Sequence, residues 1–305
     1  RTIKIRYMKI IIALICVWAT LFLAGCDVKD PIYNTPHPDH GTVPLTTDWS
    51  DIGPGLPTPE SYTVTATRDG SATAGYTATL TGVTNRLDHL FEPGAYRFCV
   101  YNTAEHITVS GTVATVAGAS GNVDGAGQFV QEMPGWLFTD VVDATIEKDT
   151  KYAVTAVMKQ QVRQLTLIIE PTGGSTNRIE HIEGYLSGAA STLDFDNGTH
   201  SAPANVELQF TKITEGADAG KYAATVRLLG VAGARQKLNA LICYTDDTPK
   251  ATDLTSDLTT KLAAFNADKR TPLTLGGKVV ETPTEAGFGA TITDWIPVSG
   301  SGTAD

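Results

Sequence analysis

Basic charge is scarce in this chain: 23 Lys and Arg stand against 33 Asp and Glu over 305 residues. Four of those bases, Arg1, Lys4, Arg6 and Lys9, precede the first acid, Asp27, and the chain from Cys26 onward carries 19 bases against 33 acids, a net charge of −14. A surface of that sign repels phosphate, which excludes nucleic acid as a partner. Sulfur is scarce as well, with four Cys and three Met, and no CxxC pair or Cys/His cluster signals a zinc fold. Catalytic signatures are missing: the chain has no GxSxG, HExxH or SxxK. Gly121–Gly127 (GNVDGAG) is glycine-rich, but it carries no Lys-Ser/Thr and does not lead from a strand into a helix, so it is no phosphate loop. Nothing in the sequence asks for an enzyme or a cofactor.

What is present is threonine, 44 residues of it, with 29 Gly. That bias favours strands and turns over helices. With 42% hydrophobic and 18% charged residues the chain is too apolar for disorder, and its length allows two ordinary domains.

The N-terminus reads as an address. Behind the basic cluster, Ile10–Ala24 is an uncharged, apolar run of 15 residues. A membrane-spanning helix needs roughly 20, whereas signal-peptide cores run ~7–15. Met8-Lys9 is the expected start, with Arg1–Tyr7 lying upstream of it. The run ends in Leu23-Ala24-Gly25-Cys26, which resembles the lipobox of bacterial lipoproteins. The expectation is cleavage between Gly25 and Cys26, with S-diacylglycerol and an N-acyl chain on Cys26. Cys16 leaves with the signal, so the mature thiols are Cys99 and Cys243. They lie in separate expected domains and are expected to stay unjoined.

Asp27–Pro59 carries seven prolines and little apolar periodicity, and is expected as an extended tether, residues 26–59. From Ser61 the pattern turns to period two. Tyr62, Val64 and Ala66 alternate with Thr63, Thr65 and Thr67; Tyr96, Phe98 and Val100 share one face. Val162–Ile169, Val206–Phe210, Tyr222–Leu228 and Leu238–Tyr244 repeat the style. Asn197-Gly198 and Asp218–Gly220 are hairpin turns, since these residues tolerate positive φ. The expected fold is all-β, two antiparallel sandwiches over residues 60–155 and 156–305, divided near Tyr152–Val162. One short helix is expected near the C-terminus: Leu254, Leu258, Leu262 and Phe265 recur at helical spacing, with Thr252 or Asp253 as cap.

Candidate chemistry is thin. Of six histidines, His37 and His40 sit in the tether as His37-Pro38-Asp39-His40, a solvated linker rather than a metal site; the others are His89, His106, His181 and His200. Asp194-Phe195-Asp196-Asn197-Gly198 opens like a calcium loop, but its Gly comes one position early and Asn205 stands where the loop needs Glu, so a hairpin turn is expected. Asp246-Asp247 and Glu180–Glu183 could pair carboxylates for glycoside hydrolysis, though acids on turns and strand faces serve solvation. Trp49, Trp136 and Trp295 could stack on sugars, and each equally suits packing. Two functional readings therefore stay open at this point, a glycan-binding surface lipoprotein and a lipid-anchored hydrolase.

The most distinctive stretch is residues 134–170. Pro134-Gly135-Trp136-Leu137-Phe138, Ile146-Glu147-Lys148-Asp149 and Met158–Leu167 (MKQQVRQLTL) resemble the fimbrillin-associated anchor lipoproteins of Bacteroidales. Agreeing segments occur at Leu193–Gly198, Leu228-Leu229-Gly230 and Asp253–Lys269. The resemblance implies two tandem transthyretin-like sandwiches on a lipid anchor at the outer-membrane surface. It also implies fimbrillin-like pilus subunits as partners, and no catalytic, cofactor or metal residues. The tail from Gly287 to Ile296 alternates as a strand, either closing the second domain's own sheet or swinging out to complete a neighbouring subunit.

Overall fold

The computed structural model describes residues 39–119, 128–173, 176–245, 251–284 and 287–298. The expected signal segment, Gly25, Cys26, His37, the Gly121–Gly127 loop, Asp246-Asp247 and the Ser299–Thr303 tail lie outside them. The chain is all-β. Its first part forms β1 (Pro44–Asp48), β2 (Ser61–Arg68), β3 (Tyr76–Thr81), β4 (Thr84–Arg86), β5 (Gly94–Tyr101), β6 (Ile107–Ser110), β7 (Val113–Val116), β8 (Gly118–Ala119), β9 (Phe129–Val130), β10 (Phe138–Ile146), β11 (Val154–Val157) and β12 (Lys159–Gln160). Its second part forms β13 (Arg163–Thr172), β14 (Ile179–Asp194), β15 (Thr199–Lys212), β16 (Tyr222–Leu228), β17 (Lys237–Tyr244), β18 (Thr252–Asp257), β19 (Leu273–Thr284) and β20 (Gly287–Pro297).

In the first part a five-stranded sheet, ordered β12-β10-β5-β2-β3, faces a three-stranded one, β11-β1-β4. Period-two patterning sets the register. Val64 stands opposite Val100 and Ala66 opposite Phe98, so one face of β2 and β5 is continuous hydrocarbon, while the other face of β2 is threonine. Phe91 anchors this core edge-on to Tyr96 and Phe98, at centroid distances of 5.3 and 5.6 Å, a geometry favoured by the ring quadrupoles.

The segment expected as a tether, residues 26–59, includes residues that belong to the folded part. Val43 and Leu45 are fully buried in the first core, and Trp49, Ile52 and Leu56 pack against it. β1 pairs in parallel with β11 and antiparallel with β4. Proline density hid this strand, yet Pro44 heads it, a position that requires no ladder N–H.

The second part closes on itself. Its hydrogen bonds run β14-β17-β18-β20-β19-β13-β16-β15, and β15 pairs back to β14, giving a ring of eight strands around one core. Ring closure removes exposed edges, the usual liability of a sheet. The helix expected over Asp253–Phe265 is not formed. Thr252 and Leu254 point inward while Asp253 and Thr255 point out, so Thr252–Asp257 is strand β18 against β17. Beyond it the chain folds into tight turns, Leu262 N–H donating to Leu258 O and Phe265 N–H to Leu262 O. Leu254, Leu258, Leu262 and Phe265 are all buried. Helical spacing had found the core residues, but β-branched Thr252 and Thr255 and a free flank on β17 favour the strand.

β20 is paired within the second part's own sheet, as the self-closure reading of the tail expects. It lies between β18 and β19, paired with β19 from Thr284↔Gly287 to Leu275↔Pro297. Trp295 is 3% exposed, and its indole N–H donates to Ser256 Oγ at 2.9 Å. Both expected hairpin turns are formed, with Gly198 at φ 73° and Gly220 at φ 91°. Cys99 and Cys243 are both free.

Candidate functional site at the junction of the two parts

The two parts are not separate beads. Hairpin β6–β7, from the first part, extends the second part's sheet: Thr115 pairs with Thr192 and Ala114 with Leu193 on the long strand β14. Phe129 pairs with Asn205 on β15. A third hydrophobic cluster sits under this seam, taking Ala114, Val116 and Leu137 from one side and Val162, Leu193 and Leu229 from the other. The expected boundary near Tyr152–Val162 is therefore crossed by shared sheet and shared core.

Beside that cluster lies a partly buried polar group. Gln160 accepts the Gly53 N–H at 2.9 Å and donates to Val162 O at 2.8 Å and Lys269 O at 2.6 Å. Arg163, 7% exposed, donates to Thr271 O at 2.6 Å and Phe265 O at 2.9 Å, with its guanidinium 5.0 Å above the Phe265 ring. Asn266 clamps Val231, accepting its N–H and donating to its C=O, both at 2.8 Å. Lys269 uses its three N–H donors on Leu229 O, Gln161 O at 3.2 Å and His200 Nε2 at 2.9 Å. Three acceptors suit an ammonium. Burial and the nearby Arg163 charge nevertheless push Lys269 down to about 7. His200, facing that cation, is pushed down to about 4 by burial and then by Lys269. It is neutral, with Nδ1–H donating to Gly198 O at 3.0 Å and Nε2 accepting.

At the rim, Arg97 on β5 bridges Asp143 at 2.9 Å and Asp196 at 2.7 Å, joining the first sheet to the β14–β15 turn. Arg270 meets Asp51 at 3.0 Å across the same seam. These exposed pairs contribute little each, and mainly fix alignment. The 194–198 segment is a hairpin turn: Asp194 accepts from Asp196 N–H at 3.2 Å and Asn197 Nδ2 at 2.7 Å.

The stretches that carry the family resemblance converge here. Residues 134–138, 193–198 and 228–230, together with Gln160–Arg163 and Phe265–Lys269, lie at or beside the seam, whereas Ile146–Asp149 lies apart, with Asp149 N–H bonded to His40 O. The other candidates disperse. Trp49 packs edge-on to Phe138 at 5.8 Å, Trp136 lies 5.6 Å from the Arg227 guanidinium, and Trp295 is in the second core. They form no shared platform for a sugar. His89 packs on Phe91 at 4.6 Å, and Glu180 and Glu183 flank His181 at 3.9 Å each. Gln160, Arg163, Asn266 and Lys269 were missed as a group. The one sequence signal was polar Gln160-Gln161 and Arg163 interrupting an apolar run, and pairing them with Asn266 and Lys269 needs the topology.

The seam has two measurable effects. A methyl on Gly230 would overlap the His200 ring and stand 2.7 Å from Asn266 Oδ1. Both neighbours are held by hydrogen bonds, so Gly230→Ala is expected to destabilise the protein by about 1–3 kcal/mol in urea unfolding. Combining it with His200→Ala should recover part of that loss. The second effect concerns pH. With His200 at about 4 when folded and 6.5 as its ordinary value, the unfolded chain holds the extra proton between those values. Stability therefore falls as pH drops from about 6.5 to about 4. His200→Gln, which keeps an acceptor, should flatten that slope relative to the native protein. A slope unchanged by the substitution would assign it to the carboxylates instead.

Residues 76–299 match the family profile described as fimbrillin-A associated anchor proteins Mfa1 and Mfa2. No curated protein matches the chain. Among solved structures, two Bacteroides ovatus proteins described as candidate adhesins are similar. One has a TM-score of 0.58 and 12% identity over 86% of this chain and 94% of that one; the other has 0.56 and 16%, over 87% and 96%. The fimbrial anchor protein Mfa2 from Porphyromonas gingivalis has a TM-score of 0.52 and 13% identity, over 85% of this chain and 97% of that one. At such identities the likeness establishes the fold.

Proposed function

Because this chain belongs to the family of fimbrillin-A associated anchor proteins, matched over residues 76–299, we propose that it is the lipid-anchored subunit that holds a fimbria to the cell surface. The family match, running through both parts and across their seam, is the observation that carries the reading. In this account Cys26 bears the acyl chains in the outer membrane, and residues 26 to about 40 are the tether. The folded body beyond the tether contacts fimbrillin-like pilus subunits. The two principal cores support reading that body as two tandem domains of transthyretin-like sandwich type. The role is mechanical rather than catalytic, and the seam suits it. A pull between tether and fimbria loads both parts, and shared sheet, shared core and the buried Gln160, bonded to Gly53 on one side and Lys269 on the other, resist their separation. The dispersed tryptophans give the glycan-binding alternative no such support.

The test is capture of the native protein from detergent-solubilised outer membranes, with mass spectrometry of what accompanies it. Fimbrillin-like subunits are expected in stoichiometric amounts. Their absence from a preparation that carries assembled fimbriae would overturn the assignment.

A further inference from the structure

On the outer wall of the eight-stranded ring, neighbouring strands β14 and β17 place three different metal-type donors together. Period two dictates this. Ile182 on β14 and Ile242 and Tyr244 on β17 point into the core, so His181, Glu183 and Cys243 between them point out. His181 stands directly opposite Cys243 in the antiparallel register, and Glu183 is two residues along the same face. Cross-strand partners and i+2 neighbours on one face lie within side-chain reach. One donor atom from each residue, imidazole nitrogen, carboxylate oxygen and thiol sulfur, lies within 4.8 Å of the other two.

We propose that His181, Glu183 and Cys243 bind one divalent cation of zinc type, with the Glu180 carboxylate orienting the imidazole. Nε2 of His181 lies 3.9 Å from Glu183 Oε2, while Nδ1 lies 3.9 Å from Glu180 Oε2 on the other side of the ring. The first distance is close to the roughly 3.3–3.8 Å between ligands around a tetrahedral ion with bonds of about 2.0–2.3 Å. The second places a carboxylate on the non-ligating side of the ring, about 1 Å beyond hydrogen-bonding distance, so a small side-chain rotation on cation binding would give the outer-shell contact that orients a ligand imidazole. The β-bulge between Ile179 and His181 is what turns Glu180 and His181 out together. A donor set of one nitrogen, one sulfur and one oxygen selects zinc, cobalt or copper over calcium and magnesium, which want oxygen alone. Three protein ligands leave a fourth position open to water or an incoming donor.

Binding breaks the Cys243 S–H bond. The proton leaves to solvent, and the thiolate electron pair forms the sulfur–metal bond. Cation uptake by a thiol is therefore coupled to proton release.

The untagged full chain, titrated with Zn²⁺ alone by calorimetry, should take up a cation with release of a proton. Co²⁺ alone should give a thiolate-to-cobalt charge-transfer band that Zn²⁺ abolishes. Cys243→Ser and His181→Ala should lose the band, Cys99→Ser should keep it, and Glu180→Gln should weaken binding by about tenfold. A band that survives in Cys243→Ser, or none in the native protein, overturns the site. A measurement independent of variants is alkylation of native protein followed by peptide mass spectrometry. Zn²⁺ should protect Cys243, and equal labelling with and without it contradicts the proposal.

Discussion

Deleting Gly287–Asp305 is expected to abolish cooperative unfolding of the second part of the molecule. β20 is an interior strand, bonded to β19 along its length and flanked by β18 on the other side. Removing it opens the ring, uncovers Leu254, Leu275 and Val279, and takes away the packing that Trp295 and Ala290 supply. Trp295→Ala alone should cost about 3–5 kcal/mol, because it leaves a large cavity and orphans the Ser256 hydrogen bond. Thermal melting followed by circular dichroism reads both. A truncated protein that still melts cooperatively, yet no longer retains pilus subunits, would restore the donated-strand reading and sink this one.

The strand pattern was legible because period two is a local property. Tyr62-Val64-Ala66 and Leu165-Leu167-Ile169 alternate, and every one of these residues is buried. The turns were legible for the same reason, since Asn197-Gly198 needs only a tolerance of positive φ. Three features were not. β1 was masked by prolines that local reading assigns to a tether. Thr252–Asp257 carries helical spacing and strand spacing at once, and only the flank offered by β17 decides between them. The seam was invisible because it is made of registers and long-range contacts, since nothing local says that Ala114 meets Leu193 or that Lys269 meets His200, and the pairing of His181 with Cys243 on the ring's outer wall was hidden for the same reason. Family resemblance found the right segments without saying that most of them meet in one place.

Cys26→Ser should move the protein from the outer membrane to the soluble fraction, the largest change in behaviour expected from any single substitution in the chain. Acyl chains contribute about 0.8 kcal/mol per buried CH₂, and two or more are needed for stable anchoring. With a net charge of −14 from Cys26 onward, the polypeptide has no electrostatic attraction to an anionic leaflet to replace them. Among the described residues no helix is long and apolar enough to cross a membrane. The substitution should leave the melting temperature unchanged, since 17 residues separate Cys26 from the first strand, which begins at Pro44. The same strain gives the most direct test of the anchoring account, by sedimenting fimbriae from the culture medium and from the cells. The expected result is that fimbriae shift to the medium with this protein still bound to them. Fimbriae that stay on the cells, or shed fimbriae that carry none of the Cys26→Ser protein, would contradict it.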